Sequence, residues 1–199
     1  MIDDLDKTLE ALLQQELPAY LASQVAISFA IPDGQFPPAS VPLPAIDLFL
    51  YDVRENLDLR RGEWTVERRS DGTASKKRPL THVDCSYLIT AWPSTGVPNP
   101  AQDEHRLLGE VIKALLRHRV FPAAVMQGSL KGQEPPIRAT PLQPGYLQSL
   151  GEFWQALGGK PKAAINYTVT ASLDVSLPVE LGPVVLSKGN TFREMKVEG

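Results

Sequence analysis

The sequence predicts an α+β fold, in which helices pack on one side of a mostly antiparallel β-sheet. Three observations support this class. Residues 165–177 alternate between apolar and polar side chains, residues 45–53 form a mostly apolar run, and strands outnumber helices without alternating regularly with them. Strict alternation is typical of an antiparallel strand with one buried face, whereas an apolar run indicates a strand covered on both faces.

Three helices are predicted from apolar side chains at helical spacing. The first covers residues 2–17 and ends at Pro18, which cannot continue a helix. The second covers residues 103–117. The third covers residues 147–157 and ends at the pair Gly158-Gly159, since glycine readily adopts the backbone conformation that closes a helix.

The other predicted strands are shorter than the last strand, residues 165–177. They cover residues 25–31, which precede a proline-rich loop, then residues 83–91 and residues 137–142. In the second of these, apolar residues alternate with Asp84, Ser86 and Thr90. This pattern predicts a half-buried strand.

The polar side of the last strand has two interpretations. Its residues are small, hydroxylated or amide, with one carboxylate and no basic group: Asn166, Thr168, Thr170, Ser172, Asp174 and Ser176. On a monomer they would form a solvated sheet face. In a ring of subunits they could instead face a central, water-filled opening, and the sequence permits both.

A basic hairpin is predicted at residues 57–80, because Asp71-Gly72 is a strong hairpin-turn signal. Within it, residues 60–78 contain seven basic residues and three acidic ones, a charge of +4, on a chain whose total is -3. Segregated charge steers association with a complementary surface, so we favour protein docking over a merely solvated hairpin or a nucleic-acid site. The basic residues are Arg60, Arg61, Arg68, Arg69, Lys76, Lys77 and Arg78.

The composition narrows the class of protein. A chain of 199 residues supports one sizeable core, and its net charge of -3 does not favour binding to nucleic acid or a membrane surface. The N-terminus lacks the layout of a signal peptide, and no apolar run is long enough to cross a bilayer. We therefore expect synthesis in the cytoplasm and no membrane insertion.

Cys85 is the best candidate for enzymatic chemistry, with His82 and His105 as candidate partners. A catalytic cysteine needs a nearby imidazole to stabilise its thiolate. However, Cys85 lies on the apolar side of its strand, and His82 is three residues away and points to the opposite face. We interpret Cys85 as a buried, inert thiol and expect no catalytic residues.

No cofactor or metal is expected either. The histidines lack the spacing of a metal-binding pair on a helix. Gly128 and Gly132 flank a loop that lacks the sequence of a phosphate-binding loop.

The last residues form a predicted tail. We divide the chain into a domain of residues 1–178 and an arm of residues 179–199. A β-prone terminal segment can pair with the edge of a neighbouring sheet, whereas the alternative is a frayed terminus. The candidate contact residues are Val184, Val185, Leu186 and Phe192.

Four features in order resemble one family. They are the leucine-patterned first helix, the proline-rich lead into residues 46–56, the strand of residues 84–92, and the Leu107-Leu108-Gly109 helix followed by Phe153-Trp154. Together they resemble the N-terminal domain of the cap, or tail-terminator, proteins of phage-tail-like contractile injection systems, of the antifeeding-prophage and virulence-cassette type. The most specific part is Leu-Tyr-x-Val-x-Glu-Asn with Arg60-Arg61 behind it.

The resemblance implies a tail-terminator-like fold and a non-enzymatic structural role over residues 1–178. Family members form a six-fold ring that ends the inner tube and sheath away from the baseplate. The implied partners are other copies of the chain, the inner tube protein and the sheath protein, in a particle that can be released from the cell. A baseplate or cargo-loading adaptor is an alternative, as is a thiol-dependent enzyme or ligand-binding domain that uses Cys85.

Overall fold

The computed structural model describes residues 1–68, 73–145, 147, 149–175 and 179–181. The chain divides into two compact units. The first unit contains residues 1–60 and 81–173, and the second contains residues 61–80 and 174–199. The boundary that we expect after residue 178 stays a prediction.

The first unit contains four helices and five strands among its described residues, numbered along the whole chain. The helices are α1 (Ile2–Glu16), α2 (Ala19–Ala22), α3 (Pro100–Arg117) and α4 (Leu150–Ala156). Short 3-10 helices lie at Leu57–Leu59, Ala123–Val125 and Gly128–Leu130. The strands are β1 (Ala26–Ser28), β2 (Ala45–Glu55), β5 (Thr81–Trp92), β6 (Arg138–Pro141) and β7 (Ala164–Leu173).

The five strands form one sheet in the order β1-β2-β5-β7-β6. Only the three-residue β1 is parallel to its neighbour, and the other pairs are antiparallel. This topology confirms the predicted fold class. The two longest strands are β2, with 11 residues, and β5, with 12.

The main core lies between one face of this sheet and the helices α1 and α3. The sheet contributes alternate residues of each strand, because successive side chains point to opposite faces. The helices contribute one apolar stripe each. Core residues include Leu5, Leu9, Leu12 and Leu13 of α1, Val111 and Leu115 of α3, and Ile46, Leu48, Tyr87, Ile89, Tyr167 and Val169 of the sheet.

The strand β5 is buried on both faces, so the prediction that it is half-buried was wrong. Asp84 is 7% exposed, and Ser86 and Thr90 are fully buried. These side chains are buried because β5 is the middle strand of five, and its second face is covered as well as its first. On this face the Phe153 ring of α4 lies 6.1 Å from that of Phe49 on β2, which is directly opposite Leu88 of β5.

The strand β7 is shorter than its alternating sequence predicted. It ends at Leu173, and Val175 is 67% exposed. Leu173 pairs with Thr81, the first residue of β5, so β7 has no further partner residues on that side. The alternation thus continues in sequence beyond the point where the sheet ends.

The helix ends follow local sequence signals. Pro100 occupies the first turn of α3, where proline is favoured, so the helix begins three residues before its predicted start. At the end of α4, the Gly159 amide donates to the Trp154 carbonyl and the Gly158 amide to that of Gln155, with φ of +64° at Gly158. This is a Schellman closure, which requires glycine at Gly158. Within the described part, no helix combines the length and apolar character that crossing a membrane requires.

The second unit contains a three-stranded antiparallel sheet in the order β3-β4-β8. Its strands are β3 (Thr65–Arg68), β4 (Ala74–Lys77) and β8 (Val179–Leu181). The pairing of β3 with β4 confirms the predicted hairpin. Its turn, including Asp71-Gly72, lies outside the described residues.

Candidate functional site

Cys85 does not have the environment of a reactive thiol. Its side chain is fully buried in the main core, and burial raises its pKa to about 11, with smaller contributions from Asp84 and Asp6. His82 faces the other way, since its Nδ1 lies 3.1 Å from Ser172 Oγ on the polar face of the sheet. The structure therefore separates the two residues, as predicted.

The other histidines lie near helix α3. His105 is exposed in its second turn. His118 follows its end and lies 3.0 Å from Glu16 Oε1, so it joins the ends of α1 and α3. Across the described ranges, no group of three or more histidine, cysteine, aspartate or glutamate side chains is arranged to hold a metal ion.

The polar face of β7 is tied to its neighbours by hydrogen bonds. Thr170 donates to Asp84 Oδ1 at 2.6 Å, and Asn56 Nδ2 donates to both oxygens of the same carboxylate. Thr168 Oγ1 lies 3.2 Å from Ser86 Oγ on β5. Most of these groups therefore have a hydrogen-bond partner within the sheet before any other molecule is considered.

A loop covers the middle of this polar face. Tyr51 Oη donates to Asn166 Oδ1 at 3.2 Å, and Gly145 lies over the pair. A Cβ at Gly145 would lie 2.3 Å from Asn166 Oδ1 and 2.5 Å from Tyr51 Oη. Only glycine allows this approach, so part of the polar face is closed by the chain itself.

Asp47 is a fully buried carboxyl group on the same face of β2. Burial raises its pKa to about 7, and the nearby Ser28 hydroxyl and Ala30 amide are smaller influences in the opposite direction. No described residue donates a hydrogen bond of good geometry to either oxygen. A buried carboxyl group with so few partners is held as the neutral acid over much of the pH range.

An open cavity of about 590 Å³ lies beside the Pro-rich lead. Its aromatic wall consists of Phe36 and Trp92, whose ring centroids are 4.4 Å apart. Lys162 Nζ lies 4.5 Å from the Trp92 ring centroid and forms an ion pair with Glu104. The Lys162 charge is thus already neutralised by a carboxylate of the same wall.

The structure places the predicted basic residues in different surroundings. Arg60 pairs with Glu55 at 3.0 Å, and Lys77 pairs with Asp174 at 2.6 Å. Arg61 is exposed. Lys76 and Arg78 lie over the Trp64 ring, at 4.5 Å and 5.0 Å from its centroid.

The remaining predicted contact residues lie outside what the structure describes. These are the side chain of Arg68 and the residues Arg69, Val184, Val185, Leu186 and Phe192. Their roles stay predictions.

Two of these features are not evident from the sequence. Asp47 is one, because a lone aspartate in an apolar run indicates only a strand residue until its neighbours are known. Trp64 is the other, because the sequence does not show which residues lie beside it. The i, i+2 spacing of Lys76 and Arg78 in the facing arm of the hairpin is the signal that could have placed both cations beside it.

Solved structures of two terminator proteins resemble this chain. The sheath/tube terminator of the extracellular contractile injection system PVC, in its extended state, is 25% identical, with a TM-score of 0.71 over 98% of this chain. The tube-terminating cap of the anti-feeding prophage is 27% identical, with a TM-score of 0.67 over 96% of this chain. The chain spans 64% and 61% of the lengths of these two proteins.

A comparison with curated protein sequences found no match. The family comparison is more informative, since the model of the Pvc16 N-terminal domain matches residues 4–187. That range includes all of the described sheet and helices apart from the first two residues of α1. This chain belongs to the Pvc16 N-terminal domain family.

Proposed function

We propose that this protein is a structural cap that terminates the inner tube and sheath of a contractile injection system at the end distal to the baseplate. The observation that carries the proposal is the match of 98% of the chain to a sheath/tube terminator with a TM-score of 0.71. The second match, to a tube-terminating cap, supports the same role. In this role the protein acts by shape and catalyses no reaction.

The structure of the first unit supports a non-enzymatic role. Its thiol is buried, and most polar groups of its second sheet face bond to one another rather than to solvent.

We further propose that the protein acts as a six-fold ring. A closed ring uses a heterologous interface, in which two different patches of each subunit meet, and it ends growth when it closes. Such a ring on the last layer of tube would leave no equivalent site for another layer. The partners are thus other copies of the chain, the inner tube protein and the sheath protein.

The basic hairpin and the tail are the proposed contact segments of the cap. The protein would be made in the cytoplasm and would become part of a particle that can leave the cell. Deleting residues 183–199 tests the tail, and we expect a folded domain but particles with loosely held or over-long sheaths. Normal particles from this deletion would refute the role of the tail.

Electron microscopy of particles tests the cap itself. In cells that lack this protein, we expect tubes and sheaths of variable length, and the wild-type gene should restore a uniform length. A gold-labelled copy should mark the end opposite the baseplate. Label at the baseplate would instead support the adaptor alternative, and uniform particles without the protein would overturn the proposal.

A further inference from the structure

We propose that one face of the second unit, the Trp64 face, binds an acidic surface on a second copy of this chain. This face consists of Trp64, Val66, Lys76, Arg78 and Val179. The inference deepens the proposed function, because it names the surface and the charge that join neighbouring subunits of the ring.

The strand register places these residues on one face. Val66 is directly opposite Lys76 on β4, and Lys76 is directly opposite Val179 on β8. Directly paired residues point to the same side of a sheet. The indole of Trp64 lies beneath both Lys76 and Arg78, which brings it and Arg78 to the same side.

The cations on this face lack a carboxylate partner among the described residues. Lys76 and Arg78 lie over the indole ring instead, at 4.5 Å and 5.0 Å from its centroid. Lys77 is the next residue of β4 and points to the other face, where Asp174 neutralises it at 2.6 Å. The same strand therefore presents one face with a neutralised lysine and one face whose cations have no carboxylate partner within the described ranges.

Apolar groups surround the two cations. Trp64 is 37% exposed, and Val66 and Val179 are each 51% exposed. Tryptophan and arginine are the residues most enriched among energetic hot spots of protein interfaces. An indole that orders two cations also reduces the entropy lost when they bind a partner, because their rotamers are already restricted.

The charge balance of the chain favours a second copy as the occupant. Residues 60–78 contain seven basic and three acidic residues, for a charge of +4. Since the whole chain carries -3, the other residues together carry -7. Each copy thus combines a basic segment with a remainder of net negative charge, and such a charge difference favours a heterologous contact between identical subunits.

Site-specific photo-crosslinking of the purified full chain tests this contact. A photoreactive amino acid replaces Val66, and 14N-labelled and 15N-labelled protein are mixed before irradiation. We expect an adduct of twice the 21.8 kDa monomer mass that contains both isotopes, with the attached peptide rich in exposed aspartate or glutamate. The same amino acid at Tyr20, which is 55% exposed in the first unit, serves as the control position.

Charge reversal provides a second measurement. We expect K76E/R78E to weaken self-association by tenfold or more in sedimentation equilibrium, on the order of what is lost at complementary charge pairs. The matched control, K131E/K160E, makes the same change of net charge at two exposed lysines of the first unit and should have little effect. Added salt should weaken self-association of the wild type more than that of K76E/R78E, because exposed charges are screened over about 8 Å at physiological ionic strength.

The outcomes separate this inference from the proposed function. No adduct from Val66 above the Tyr20 control, or an adduct with tube or sheath protein alone when the labelled chain is in particles, would overturn the inference. Unchanged association of K76E/R78E would also overturn it. If microscopy shows that the chain is absent from the tube end while the mixed-isotope adduct still forms, the proposed function fails and the inference stands.

Discussion

Tyr87 and Tyr167 lie directly opposite each other on β5 and β7, but among the described residues only one of their hydroxyl groups has a hydrogen-bond partner. Both side chains are fully buried in the main core. Tyr87 Oη donates to Asp6 Oδ1 of α1 at 2.8 Å. Tyr167 Oη is buried without a partner in the described part of the chain, so the two positions form a natural comparison.

We expect Tyr87→Phe and Tyr167→Phe to change stability in opposite directions. Tyr87→Phe leaves the partly buried Asp6 without its donor, and should lower the free energy of unfolding by about 1–2 kcal/mol. Tyr167→Phe removes an unsatisfied hydroxyl group and should be neutral or slightly stabilising. Urea denaturation of both variants measures the difference, and equal destabilisation would contradict the assigned contacts.

Gly128 is expected to tolerate alanine poorly. Its φ is +51°, and a Cβ would lie 1.9 Å from Asp4 Oδ1, whose carboxylate accepts from the Ser129 amide and hydroxyl. Gly128→Ala should therefore break the contact between α1 and this loop and cost about 1–3 kcal/mol.

Gly132→Ala is the matched control for this substitution. Gly132 has a similar φ of +69°, but its Cβ would meet nothing within 4 Å. Gly132→Ala should therefore lose only the stability that the strained backbone conformation costs. Thermal unfolding of both variants compares the two losses of stability. A larger loss from Gly132→Ala would refute the steric explanation.

Burial of Asp47 should make stability depend on pH. Its pKa is raised from 3.8 to about 7, so between these values the folded protein holds a proton that the unfolded chain has lost. The stabilising contribution is complete below pH 3.8 and is lost as pH rises through 7. The free energy of unfolding should fall by up to about 1.4 kcal/mol per pH unit in this window.

The substitution Asp47→Asn should remove this slope, measured by denaturant unfolding at a series of pH values. Asp58→Asn replaces an exposed carboxylate, and this variant should retain the pH dependence of the wild type. The same slope in Asp47→Asn as in the wild type would show that another group is responsible.

Cys85 should resist thiol reagents while the protein is folded. Its side chain is fully buried and its pKa is raised to about 11, so reaction requires unfolding or a large opening. For an unfolding free energy above about 5 kcal/mol, labelling should be roughly 10³-fold slower than in denaturant. Mass spectrometry of labelled protein measures the ratio, and comparable rates would reopen the thiol-dependent alternative.

Local patterns were sufficient to predict most elements of the fold. Pro18 ends α1, Gly158 closes α4, and the mostly apolar run after Pro44 forms β2. These signals act within a few residues, so they can be interpreted without knowledge of the rest of the chain. The order of such elements also led to the family resemblance, which the family match confirms.

Burial depended on neighbours that the sequence does not specify. Asp84, Ser86 and Thr90 have the spacing of a solvated strand face, but β5 is the central strand and both of its faces are covered. Ser172 on β7 belongs to a similar alternation, and its hydroxyl pairs with His82 of the neighbouring strand. Periodicity predicts which side chains share a face, and only the topology decides what lies against that face.

By itself, then, the sequence determined which segments form most of the helices and strands. It also determined that positive charge is concentrated in the hairpin and that Cys85 lies on the apolar side of its strand. The tertiary structure alone decided that Asp47 is buried with few partners, that Tyr167 lacks the bond which Tyr87 makes, and that Trp64 lies under two cations. The physical reason is range. Backbone preferences and side-chain periodicity act over a few neighbouring residues, whereas desolvation and cation–aromatic contacts depend on residues that the chain brings together from distant positions.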